Sequence, residues 1–378
     1  MSKQGLSRRI FLHGVAAGST GVALGSIPSS AAASSPGAAL EAGIPITSIS
    51  YPIAQPGKST ATAELTIITL TEISQAHQEK IRALSPVINL KLCKSRDEFQ
   101  RELTGAHVIF GGFSRDDLAR ARQLEWIQWG AAGVESIMWP ELVNSEIVLT
   151  NMQRMFAPPI SETVFALLLA LTRGIDRYTM QTRQRKWQPV GGLVEISGKT
   201  IGIVGLGGNG TDTAYRACYG FGMTVLAVDP KPLPKPQFVS ELRSLEWFPQ
   251  MVPQVDVLVS AAPLTPVSQY MFNEAIFRAM KPSAYFINIA RGKLVDTPAL
   301  VRALNKGWIA GAGLDVAHKE PLPPDDPLWS AANIIITCHS SGYSPQTEGR
   351  RPDLFTENIR RYVNGLPLLN VVDKQRGY

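Results

Sequence analysis

The sequence predicts an α/β protein of two domains. From Glu64 onward, short apolar strands alternate with amphipathic helices, and a glycine-rich turn joins one of those strands directly to a helix. The chain has 378 residues, more than one core of ordinary size needs. The strands are nearly continuous apolar runs, so the sheets are expected to be parallel and covered on both faces.

The first 33 residues stand apart. "SRRIFLHG" (7–14) puts Arg8 and Arg9 ahead of a mild, Gly-rich apolar stretch, a pattern that reads as a twin-arginine export address. No Lys, Arg, Asp or Glu follows until Glu41, and "GVAAGSTGVALGSIP" is too short and too polar to span a bilayer. "AAA" at 31–33 offers a cleavage site, and residues 34–60, rich in Ser, Pro, Ala and Gly, read as a linker. An uncleaved anchor or a plain tail is the alternative. Removing residues 1–33 leaves 345 residues and changes the net charge from +6 to +3, so no nucleic-acid signal remains. The processed chain is expected to be periplasmic or secreted, without stable membrane insertion; a cytoplasmic protein with an unused leader is the other reading. The three cysteines, Cys93, Cys218 and Cys338, imply no disulfide framework. That fits a protein folded in a reducing compartment and exported already folded.

The alternation then runs in order. "ELTIITL" (64–70), "VINLKLC" (87–93), "HVIFGG" (107–112), "WIQWGA" (126–131) and "IVLTN" (147–151) read as strands. "QAHQEKIRAL" (75–84) and "RDEFQREL" (96–103) read as helices. "ISETVFALLLALTRGIDRY" (160–178) predicts one long apolar helix, buried between two domains. A second strand–helix series begins at "KTIGIVGLG" and ends at "NIIITCHS".

"IGIVGLGGNG" sets Gly205, Gly207 and Gly210 in a G-x-G-x-x-G spacing between a strand and a helix, with Gly208 and Asn209 inside the loop. Gly205 permits a tight turn, Gly207 lets backbone approach a pyrophosphate, and Gly210 lets helix and strand pack closely. The helix N-terminus offers free N–H groups to the phosphates. Alone the motif is weak, but the next strand, "MTVLAVD", ends in Asp229, 19 residues after Gly210. An acid there accepts from a ribose 2′-OH and repels a 2′-phosphate, which favours NAD over NADP. Lys231 weakens that preference without reversing it.

Three later stretches each bring one ionisable residue to a strand end. "AYFINIARGKLVD" carries Arg291, "GAGLDVAHKEPLP" carries Asp315 and Glu320, and "NIIITCHSSGYS" carries His339. Carboxyl ends of parallel strands are where such sheets hold ligands. Reducing a carbonyl needs a proton donor, for which His suits neutral pH, and a carboxylate on its other ring nitrogen fixes the tautomer. Arg clamps an anionic substrate through two parallel hydrogen bonds. Taken by themselves, Arg291 and Glu320 would be read as a mutual pair. Of the five histidines, His13 goes with the leader, His77 sits on a polar helix face, His107 starts a strand and His318 reads as solvated. Cys338 reads as a core residue, since adjacent strand residues face opposite ways. No Cys/His cluster has metal spacing, and no nucleophile elbow or P-loop is present.

At these motifs, with "GKTIGIVGLGGNG", "AAPLTPVSQYMFN" and "MKPSAYFINIARGKLVD", the chain resembles the D-isomer-specific 2-hydroxyacid dehydrogenases over about residues 64–370. The resemblance implies a Rossmann-type NAD-binding domain at 154–339. It also implies a flavodoxin-like substrate domain built from 61–153 and 340–378. It implies catalytic roles for Arg291, Glu320 and His339, and substrate-carboxylate binding by the N–H groups of Ala132 and Gly133 in "GAAGVE" together with Arg291. Cofactor contacts would fall on Gly205, Gly207, Gly208, Asn209, Gly210, Asp229, Pro263, Thr265, Ala290 and Asp315, the last facing the nicotinamide carboxamide. NAD is the implied cofactor, a small 2-oxo or 2-hydroxy acid the substrate, the twin-arginine machinery a transient partner, and a homodimer the implied assembly. Asn209 departs from the family's usual apolar residue, and Cys338 from a common Pro. Glu320 stands where formate dehydrogenases have Gln, which argues against that activity. A nicotinamide-binding scaffold or redox sensor, similar to corepressor relatives, is the alternative without catalysis.

Overall fold

The computed structural model describes residues 64–378; the twin-arginine leader and the linker lie outside the described residues. Two parallel sheets organise the chain. The first contains β1 (Leu65–Thr69), β2 (Ile88–Leu92), β3 (Val108–Phe110), β4 (Trp126–Gln128) and β5 (Val148–Thr150), in the order β2-β1-β3-β4-β5. All its pairings are parallel. This is the flavodoxin-like order.

The apolar runs form strands because both faces find a cover. Ile67, Phe110 and Trp126 point to one side, onto Leu354, Phe355, Ile359 and Tyr362 of the helix Pro345–Val363. Ile68, Ile109, Ile127 and Leu149 point to the other, onto Phe99 and Leu103. Stacking of Phe110 on Phe355, ring centroids 4.0 Å apart, ties that late helix to the first sheet. Ser344 caps the helix by accepting from the Thr347 N–H at 3.1 Å.

The second sheet contains β6 (Thr200–Val204), β7 (Thr224–Val228), β8 (Glu241–Arg243), β9 (Val257–Ser260), β10 (Tyr285–Asn288), β11 (Gly311–Leu314) and β12 (Ile334–Ile336). Its order, β12-β11-β10-β9-β6-β7-β8, is the doubly wound Rossmann arrangement with an added edge strand. The order reverses between β6 and β9, which opens a crevice at the carboxyl ends of those strands.

The expected single helix over 160–178 is two. The first runs Ala157–Thr172 and buries Val164, Phe165, Leu168 and Leu171 against the second sheet's core. Gly174 then takes a left-handed φ of 63°, and the helix Ile175–Arg183 that follows buries no residue. Only glycine adopts that turn without a Cβ penalty, so the chain leaves the core there and the polar second helix faces outward. Among the described residues no helix is long and apolar enough to cross a membrane.

Candidate functional site

The glycine loop has the conformation its spacing requires. Gly205 takes a φ of 94°, and a Cβ there would sit 2.8 Å from the Ala261 carbonyl. A Cβ on Gly210 would lie 2.0 Å from the Gly205 oxygen, so the helix Gly208–Phe221 reaches the strand only because residue 210 has none. Gly207 is different: nothing lies within 4 Å of where its Cβ would be. That open space adjoins the cavity, and the helix behind it has no acid in its first turn and no side-chain cap. Backbone free of Cβ cover and uncapped N–H groups suit a pyrophosphate. Gly208 serves the fold as well, since Arg154, at a φ of 71°, would press its Cα to 2.7 Å of a Cβ there.

Asp229 lies just past β7. Its carboxylate accepts from the N–H groups of Leu206 and Lys231, both at 2.8 Å. Burial pushes its carboxyl up, and these two bonds with the Lys231 charge only partly oppose that. The acid is thereby tied to the glycine loop rather than to a distant cation.

His339 is held on three sides. Its N–H donates to the Asp315 carbonyl at 2.7 Å, its φ is 55°, and its Nδ1 lies 2.7 Å from Glu320 Oε2. Glu320 is fixed in turn by the Ala317 N–H, which donates to Oε1 at 2.9 Å. None of the described residues bonds to His339 Nε2, which leaves that nitrogen to the cavity. Asp315 is 1% exposed and sits behind the lining. It accepts from the Thr337 hydroxyl and from the N–H groups of Ser340 and Ser341. In this arrangement Asp315 builds the turn that presents His339.

Arg291 emerges from β10 and crosses to the first lobe. Its Nη1 donates to the Ala290 carbonyl at 2.7 Å, and its Nε donates to Glu135. The Nη2 end of the guanidinium points at Gly133, where any Cβ would collide with it. The loop beneath is anchored through its carbonyls: Trp129 Nε1 donates to Gly133 at 2.8 Å and Asn151 Nδ2 to Ala132 at 2.7 Å. The N–H groups of Ala132 and Gly133 donate to none of the described residues. Burial pushes the Glu135 carboxyl up, but the Arg291 hydrogen bond and charge, aided by His339, hold it below the usual carboxylate range.

These parts meet in one cavity of about 420 Å³. Its walls include Arg291, His339, Ala132, Gly133, Gly205, Gly207, Gly208, Asn209, Asp229, Pro263 and Ala290. Gly210, Thr265, Asp315 and Glu320 stand behind the wall; Thr265 closes a turn with Ser268, whose hydroxyl accepts from its N–H at 2.8 Å. Arg291 and Glu320 are not a pair: each has its own partner, Glu135 and His339 respectively. Two readings are corrected. Cys338 is exposed rather than core, because β12 ends at Ile336 and strand alternation no longer sets its direction. His318 is half-buried rather than solvated, its Nε2 3.3 Å from Asp326. Sequence reasoning passed over Glu135, Arg154 and Tyr378, which also line the cavity. Glu135 was visible as the acid of "GAAGVE"; the other two carry no local signal.

Comparison with known proteins agrees with this geometry. Residues 165–341 match the D-isomer specific 2-hydroxyacid dehydrogenase NAD binding domain. The chain is 35% identical over 262 residues to a glyoxylate reductase of Korarchaeum cryptofilum, covering 68% of this chain and 78% of that one. A crystal structure of a D-isomer specific 2-hydroxyacid dehydrogenase family protein from Aeromonas salmonicida is 30% identical, with a TM-score of 0.72 over 82% of this chain and all of that one. An NADPH-dependent glyoxylate/hydroxypyruvate reductase from Sinorhizobium meliloti, solved with NADP and sulfate, is 26% identical. It gives a TM-score of 0.70 over 83% of this chain and 100% of that one. With a nucleotide-binding glycine loop, a His–Glu couple and an Arg converging on one cavity, this chain belongs to the D-isomer-specific 2-hydroxyacid dehydrogenase family.

Proposed function

We propose that the protein reduces a small 2-oxo acid, glyoxylate or hydroxypyruvate, to the 2-hydroxy acid, of D configuration where the product is chiral. The observation that carries this is the convergence of His339, backed by Glu320, and Arg291 on the cavity that the glycine loop opens into. The Arg291 guanidinium and the Ala132 and Gly133 amides hold the substrate's carboxylate, which takes the place of Glu135 on part of the guanidinium. A reduced nicotinamide, when bound, would supply the hydride for C2. His339 Nε2 gives its proton to the carbonyl oxygen, and in the reverse direction takes it from the hydroxyl. Glu320 keeps Nδ1 occupied, so the proton is exchanged at Nε2 alone. In this reading residues 61–153 with 340–378 hold the substrate and 154–339 the cofactor. Approach of the two halves about the helix Ala157–Thr172 excludes water from the reaction.

NAD is the proposed cofactor. Asp229 supports it, because a ribose 2′-phosphate would meet a carboxylate already bonded to Leu206 and Lys231. Initial rates on glyoxylate and hydroxypyruvate, with NADH and NADPH in parallel, test both points. Turnover with kcat/KM higher for NADH is expected. Preference for NADPH would sink the Asp229 argument, and cofactor binding without turnover on any 2-oxo acid would return the reading of a scaffold or redox sensor.

A homodimer exported by the twin-arginine route completes the proposal. Trp187 is 100% exposed and Met180 63%, two large apolar side chains that a second copy would cover. Residues 1–33 supply the export address. Light scattering on chain recovered from the periplasm reads both claims: a mass near twice that of the processed chain is expected. A monomer, or a chain confined to the cytoplasm, would refute the corresponding half.

A further inference from the structure

We infer that Tyr378 is a cofactor-binding residue that closes over the adenosine ribose beside Asp229 and slows cofactor release. The inference rests on the cofactor site proposed above.

Residues 371–378 run from one sheet to the other. Val371 bridges to Thr150, and the Val372 N–H donates to the Leu149 carbonyl at 2.8 Å, which anchors the segment on β5. Lys374 Nζ reinforces the anchor by donating to the carbonyls of Ser145 and Ile147 at 2.6 and 2.8 Å. A tight turn follows. The N–H groups of Gln375 and Arg376 both donate to Asp373 Oδ1 at 3.0 Å, and the Gly377 N–H donates to the Asp373 carbonyl at 2.8 Å. The turn carries Tyr378 off the first lobe and onto the second.

There the ring meets Lys231, whose ammonium lies 4.3 Å from its centroid and 3.5 Å from the Tyr378 carbonyl. Gly377 and Tyr378 line the same cavity as Gly207, Asp229 and Lys231. Burial, with the Asp229 and Asp373 charges adding to it, raises the phenol's pKa against the lowering effect of Arg376. Tyr378 and Asp229, the acid proposed for the ribose, thus line one cavity. A nucleotide bound along the glycine loop and held by Asp229 would be covered by this ring. It would leave once the ring leaves Lys231, which, with the segment rooted on β5, would follow parting of the lobes.

Stopped-flow displacement of NADH from the full chain tests this. Tyr378→Ala is expected to release NADH about three- to thirtyfold faster than the wild type, the range a lost cation–π contact spans. Tyr378→Phe keeps the ring on Lys231 and should restore slow release; Lys231→Met removes the contact from the other side and should speed it. Release from Tyr378→Ala within about twofold of wild type would overturn the inference and leave the cofactor site standing. A wild type that holds neither NADH nor NADPH would overturn the site, and the inference with it.

Discussion

His339→Ala is expected to lower kcat on a 2-oxo acid by about 10²- to 10⁴-fold, the range assigned to a positioned general acid. NADH affinity should stay within about twofold, because the glycine loop and Asp229 lie at the other end of the cavity. The expectation follows from how the imidazole is held. Its backbone is pinned at a φ of 55° by the bond to the Asp315 carbonyl, and Nδ1 is committed to Glu320 at 2.7 Å. An imidazole restrained in this way moves protons through Nε2. Steady-state rates with fluorescence titration of NADH separate the two effects. A folded variant that no longer bound NADH would count against a proton-transfer role, as would one that kept its turnover.

Arg291→Gln is expected to cost about 10²- to 10³-fold in kcat/KM, the worth of two charge-assisted hydrogen bonds to a carboxylate. It should also lower Tm, and here the pH dependence has a definite sign. Glu135 is held below its ordinary value mainly by Arg291, against the upward push of burial. A depressed carboxylate contributes stability that is fully present above the unfolded value of about 4.3, and is lost as pH falls through the folded one. Removing Arg291 leaves that carboxylate half-buried without its cation. The loss of Tm should therefore be larger at about pH 7 than at about pH 4. Adding Glu135→Gln should recover the Tm and leave the activity low. Equal losses of Tm at both pH values would show that Glu135 does not depend on Arg291.

The five strands of the first sheet were legible because each is a short, largely apolar run between turn residues; β8, Glu241–Arg243, with one apolar residue, was not. The helix over 160–178 was misjudged at one residue. Gly174 is tolerable inside a helix, and only the packing of Val164 and Leu168 against the second sheet shows where the core stops. Within the site, Asp229 and His339 could be read from their places at strand ends. What Glu135 does could not, because its partner Arg291 is 156 residues away. Cys338 was misplaced for a related reason: alternation was carried two residues beyond the strand's end at Ile336.

The sequence by itself determined the class of the protein. Short, nearly continuous apolar runs, a glycine spacing and an acid at the next strand end are local patterns, and local sterics and hydrogen bonding make them specific. Tertiary structure alone decided the pairings. It put Glu320 on His339 rather than on Arg291, Glu135 on Arg291, Asp315 behind the turn rather than at the cavity wall, and Tyr378 against Lys231. Arg291–Glu135 and Lys231–Tyr378 join residues more than a hundred positions apart and carried by different lobes. Which of several complementary charges or rings meet across such a span depends on where two separately folded sheets come to rest against each other. No local pattern of residues encodes that distance.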